Sequence, residues 1–98
     1  MERIYYKGFY IDATKTGYRI SREDDISKHT HIRNLKASYR LINDVLKHKI
    51  PKRCGNYFLE SHARISNNEK YIKEIRDFIQ LRKRKKQEKY YNWKDKNK

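Results

Sequence analysis

Cysteine, proline and glycine are scarce in this chain. Cys54 and Pro51 stand alone, and the three glycines are Gly8, Gly17 and Gly55. A single thiol excludes an internal disulfide and fits a reducing compartment, so a cytoplasmic location is expected. No apolar run approaches the roughly eighteen residues that a spanning helix needs, and the strand-like N-terminus carries no apolar signal segment. With neither Gly nor Pro after Gly55, nothing in the backbone forces a C-terminal helix to end early. Acids are also few: 12 against 26 Lys and Arg, for a formal charge of +14.

What remains is 36% apolar and 13% aromatic, with nine tyrosines in 98 residues. That supports one domain with a modest core in which large rings fill much of the space. The charge is unevenly spread. Residues 81–98 hold nine cations and two acids, so +7 of the +14 lies in that stretch. Such density favours a polyanion: nucleic acid, an anionic membrane or an acidic protein surface.

Residues 3–22 read as a β-hairpin. Phe9 and Ile11 share one face, Ala13–Gly17 is the turn, and Tyr18 and Ile20 return on the same face. Gly8 marks either a bulge or a break that makes Ile4–Tyr6 a separate short strand. Ser27 or Thr30 can cap a first helix over about 30–48. In it Ile32, Leu35, Tyr39, Ile42 and Leu46 step by three and four, and Leu41 and Val45 widen the stripe. Lys47, His48 and Lys49 suit the negative end of its dipole, and Pro51 stops it. Asn56 can cap a short helix, 56–65. Ser66 and Glu69 form a capping-box pattern opening a helix over about 67–81, with Tyr71, Ile72, Ile75, Phe78 and Ile79 on one face.

The expected fold class is therefore α+β: an N-terminal β-hairpin packed on three helices, the last long and running into a basic tail. The domain spans 1–81, and residues 82–98 form a helical extension or tail. The long helix is expected to lie across the first through Ile72, Ile75 and Ile79. If it continued to Asn92 it would be roughly 40 Å long. Any apolar surplus on it would be buried in a homodimer.

The basic–aromatic extension is the strongest functional signal. Arg82, Lys83, Arg84, Lys85, Lys86 and Lys89 can neutralise phosphates. Tyr90, Tyr91 and Trp93 can stack on unpaired bases, pack against a partner, or fold back on the core. A second basic site, Lys47, Lys49, Lys52 and Arg53, lies where a helix end meets a Gly loop. There it can hold a phosphate or merely complement the helix dipole. The helices on either side of Ser66 invite a helix-turn-helix reading, but Ser-Asn-Asn replaces the usual tight glycine turn, which favours structural packing.

Catalytic and metal signals are weak. No P-loop, nucleophile elbow or Gly-rich dinucleotide turn is present. Cys54 beside Lys52 and Arg53 could be activated and paired with His48 or His62, but a core this small leaves little room for a walled cleft. Of the histidines, only His29 and His31 are closely spaced, and there is no cysteine pair, so neither a metal nor another cofactor is expected. The apolar face ends near Leu81, which argues against an interfacial membrane helix.

In size and composition the chain resembles the small basic proteins of phages and mobile elements. The expectation is a non-enzymatic nucleic-acid-binding protein that contacts phosphates through its C-terminal helix and arm. The alternative is an inhibitor, such as a phage anti-defence protein, that blocks a host nucleic-acid-processing enzyme complex. In that case Tyr, Trp and Arg would act as binding anchors.

Overall fold

Strand β1 (Arg3–Tyr6), β2 (Phe9–Thr14), β3 (Gly17–Arg22) and β4 (His29–Ile32) precede helices α1 (Leu35–Leu46), α2 (Asn56–Ile65) and α3 (Glu69–Lys96). These are the elements of a computed structural model that describes residues 2–96, with side chains through Gln87. The protein is α+β, with a four-stranded antiparallel meander in the order β1-β2-β3-β4. The expected hairpin is thus the central pair of a larger sheet.

Two tight turns set the register. Lys7 and Gly8 both have positive φ, 49° and 90°, as a two-residue hairpin turn requires. Ile4–Tyr6 is accordingly its own strand, with Tyr6 opposite Phe9. Thr14 pairs with Gly17 across the second turn. Gly17 has φ 153°, and a Cβ there would lie 2.6 Å from the Ile32 carbonyl oxygen and 2.9 Å from Arg33 Cα. The glycine admits the close passage of the β4–α1 connection as well as the turn.

The pairings Ile4–Ile11, Ile11–Ile20 and Ile20–Thr30 place one row on the inner face. Thr30, fully buried there, donates to Ser61 Oγ of α2 at 2.8 Å. Tyr5, Tyr10, Arg19, His29 and His31 occupy the outer face, on the alternation of the pleat.

Residues 29–32 correct the first expected helix, which begins only at Leu35. Thr30 and Ile32 are buried while His31 is exposed, a period of two. Four residues are too few to decide between periods, and the open edge of β3 decides in favour of a strand. Asn34, rather than Ser27 or Thr30, is the cap: its side chain accepts the Ala37 N–H at 2.7 Å. The buried face of α1 is Ser38, Leu41, Ile42 and Val45, whereas Leu46 is 47% exposed. The side chains expected to widen the stripe are its centre.

Helix α1 ends in a Schellman motif. Lys49 N–H donates to the Asp44 carbonyl at 2.8 Å and His48 N–H to that of Val45 at 3.2 Å, with His48 at φ 52° in the position usually held by Gly. The His48 ring lies 5.3 Å from that of Tyr71.

Gly55, not Asn56, precedes α2, and Asn56 is its first residue. The expected capping box is also displaced. Ser66 closes α2, its Oγ accepts the Asn68 N–H, and Asn68 caps α3 by accepting the Tyr71 N–H at 2.9 Å. The carbonyls at the end of α2 are satisfied by cations from the β3–β4 hairpin: Arg22 donates to Ile65 and Lys28 to Ser66, as suits the negative end of a helix.

Helix α3 packs chiefly along α2 rather than across α1, with Tyr71, Ile75 and Ile79 buried. Between α1 and α2 sits His62, completely buried. Its Nδ1 donates to the Phe58 carbonyl at 2.7 Å, and its Nε2 meets the Asp44 carboxylate at 3.0 Å.

Candidate nucleic-acid interface

Two side chains of α3 tie it to the loop that follows α1. Near its start, the Tyr71 hydroxyl donates to the Lys49 carbonyl. Eleven residues later, roughly 16 Å along the axis, Arg82 reaches the other end of the same loop. Its Nη1 donates to the Cys54 carbonyl at 2.7 Å and to Asn56 Oδ1 at 3.2 Å, and its Nη2 donates to the Lys52 carbonyl. The guanidinium also lies 4.6 Å from the centre of the Phe78 ring, a favourable cation–π placement.

Arg82 was expected among the phosphate-contacting cations, but the fold engages its donors internally. The consequence is positional. Lys52 and Arg53, both exposed, are held beside the point where α3 leaves the body. Lys83, Arg84, Lys85 and Lys86 follow immediately and are all exposed. Successive helical residues turn by about 100°, so these four cations surround the helix. From Phe78 to Gln87 there are five cations and no acid. The acids earlier in α3 are partly matched, with Asp77 paired to Lys73 at 2.7 Å.

Lys47 and Lys49 are exposed but separate from this group. Lys49 lies with the start of α3, through its carbonyl. Lys47 ends α1 on the side of Tyr6, whose hydroxyl is shifted below its ordinary value by its hydrogen bond with Asn43, with smaller contributions from Lys7 and Lys47. The two basic stretches expected from the sequence therefore divide. Lys52 and Arg53 join the α3 cluster, and Lys47 and Lys49 do not. The side chains of Lys89, Tyr90, Tyr91 and Trp93 lie outside the described residues.

The local setting of Cys54 is not that of an activated thiol. It is partly buried, its Sγ donates to the Pro51 carbonyl at 3.3 Å, and burial pushes the thiol up, an effect that outweighs the nearby Arg82. The His29 and His31 rings stand edge to face at 5.6 Å on the outer sheet face. Among the described residues no three His, Cys, Asp or Glu side chains converge as a metal site would need. No described helix is long and apolar enough to cross a membrane.

Sequence reasoning passed over Arg33, Lys36 and Arg40, which line up on or beside the exposed side of α1, and Tyr57, which is 66% exposed. The three-and-four spacing of the cations was legible. Their proximity to the basic loop was not, because it depends on how α2 packs.

No family model, curated protein or solved structure matches the chain.

Proposed function

We propose that this chain is a non-enzymatic nucleic-acid-binding protein whose α3 grips phosphates as it leaves the body. One observation carries the reading. Arg82 is spent on the protein's own carbonyls, and directly after it four exposed cations encircle a helix with no acid among them. A helix about 10–12 Å across fits the major groove of duplex DNA, about 12 Å wide, with phosphates on both sides. Lys52 and Arg53 add charge at the root of the helix. Cations distributed around the whole circumference favour backbone contacts, which fix position without reading bases.

The test is a salt-dependent binding series with duplex DNA, single strands and structured RNA. Changing Lys83, Arg84, Lys85 and Lys86 to Gln should lower affinity for every sequence. It should also flatten log K against log salt by about 3–4 on duplex DNA, roughly 0.9 for each phosphate no longer neutralised. An unchanged slope overturns the proposal. A stoichiometric protein partner that survives nuclease treatment, with no measurable binding to any nucleic acid, would transfer the basic helix to the inhibitor reading.

A further inference from the structure

Two clefts lie beside the start of α2, and Phe58 forms part of the wall of both. The larger, about 590 Å³, lies between the β2–β3 turn, the β4–α1 connection and the first turn of α2, with Arg33 and Tyr57 on its walls. The smaller, about 370 Å³, is lined by Lys36, Arg40 and Cys54 among others. Among the described residues no Asp or Glu lines either one.

Arg33, Lys36 and Arg40 are all exposed; Lys36 and Arg40 lie four apart on one face of α1 and line the smaller cleft, and Arg33, just before the cap Asn34, lines the larger. Tyr57 offers a flat ring at the outer end. At the inner end the Cys54 carbonyl accepts from Arg82, the residue before the basic run of α3. The trench thus runs from an exposed tyrosine, past three cations, to the root of the proposed phosphate-binding helix.

We propose that this trench holds a single-stranded stretch of nucleic acid, with its phosphates along Arg33, Lys36 and Arg40 and a base stacked on Tyr57. The inference rests on the nucleic-acid reading of α3 and names the form of ligand that the body takes. Positive walls without acids favour a polyanion. A duplex keeps its base faces stacked inside and has none to offer Tyr57, whereas an unpaired base stacks on an aromatic ring irrespective of its sequence. An acidic peptide would satisfy the cations but leave the ring without a flat partner.

The experiment uses the full chain with a fluorescein-labelled oligothymidylate and a duplex of equal length. Tyr57→Ala should weaken single-strand binding roughly 5- to 150-fold while Tyr57→Phe retains it and duplex affinity stays unchanged. Changing Arg33, Lys36 and Arg40 together to Gln should flatten the single-strand salt slope by about 2, at roughly 0.7 per phosphate. In the unsubstituted protein, crosslinks from an iodouracil-substituted strand should fall on the tryptic peptide 54–64. If the trench variants bind the strand like the parent while the Lys83–Lys86 variant fails, the trench proposal is overturned and the reading of α3 stands. Should the parent bind neither probe, both fall together. Crosslinks confined to peptides beyond Lys83, or displacement by polyglutamate as effective as by unlabelled strand, also overturn the trench proposal.

Discussion

Arg82 Nη1 and the Cys54 carbonyl oxygen are 2.7 Å apart, and this contact orients the basic end of the molecule. A guanidinium is a planar fork of donors, which allows one side chain to reach the Cys54 and Lys52 carbonyls together. An ammonium is a compact point charge on a flexible stem and reproduces that fork poorly.

Arg82→Ala should therefore cost about 2 kcal/mol of stability, as the loss of charge-assisted hydrogen bonds to the partly buried Cys54 carbonyl and the exposed Lys52 carbonyl implies. Arg82→Lys should recover little of it. Urea denaturation of both variants checks this. Because the donors of Arg82 are already engaged by Cys54, Lys52 and Asn56, Arg82→Gln should alter the salt slope of binding less than Lys83→Gln does. Equal changes in slope would place Arg82 on the ligand instead.

The buried contact of His62 with Asp44 predicts strong coupling. The Phe58 carbonyl can only accept, so Nδ1 carries a hydrogen, and Nε2 is left facing the Asp44 carboxylate at 3.0 Å. Asp44→Ala should destabilise by about 3 kcal/mol, since it leaves the buried Nε2 of His62 without a partner. The double change Asp44→Leu, His62→Leu should cost less than the sum of the single changes. Additive values in a double-mutant cycle would show that the two side chains act independently.

Stability should fall at alkaline pH through Tyr71. Burial pushes its phenol above the ordinary value of 10.0, with a further upward contribution from Asp44. The unfolded chain then releases this proton at lower pH than the folded chain does. Stability is lost as pH rises past about 10, and the loss continues until the folded phenol itself ionises. Tyr71→Phe should flatten the decline above pH 10. At neutral pH it should cost about 1 kcal/mol for the missing bond to the Lys49 carbonyl. Denaturation midpoints measured from pH 7 to 11 for both proteins decide it.

Much of the fold was legible because periodicity and punctuation agree over long stretches. Helix α2 spans the expected 56–65, and of the expected stripe of α3 Tyr71, Ile75 and Ile79 are buried and Ile72 and Phe78 partly so. The errors occur where two local readings compete. Ile32 continues the spacing of α1 and also the alternation of His29–Ile32, and only the free edge of β3 distinguishes them. Ser66 and Asn68 are both good caps; Ser66 closes α2, and Asn68 opens α3.

The amino-acid order alone determined the α+β class and the concentration of cations toward the last helix, because these follow from composition and spacing within one segment; the core is mainly Ile and Leu, with Phe9 and Tyr71 buried in it and rings such as Tyr6, Tyr39 and Phe78 packed around it. Packing decided which cations stand together. Arg82 is turned inward, Lys52 and Arg53 are drawn to its side, and Lys47 and Lys49 are left elsewhere. The physical reason is that a long side chain has several partners within reach until the backbones meet, and the choice among them depends on residues distant in sequence.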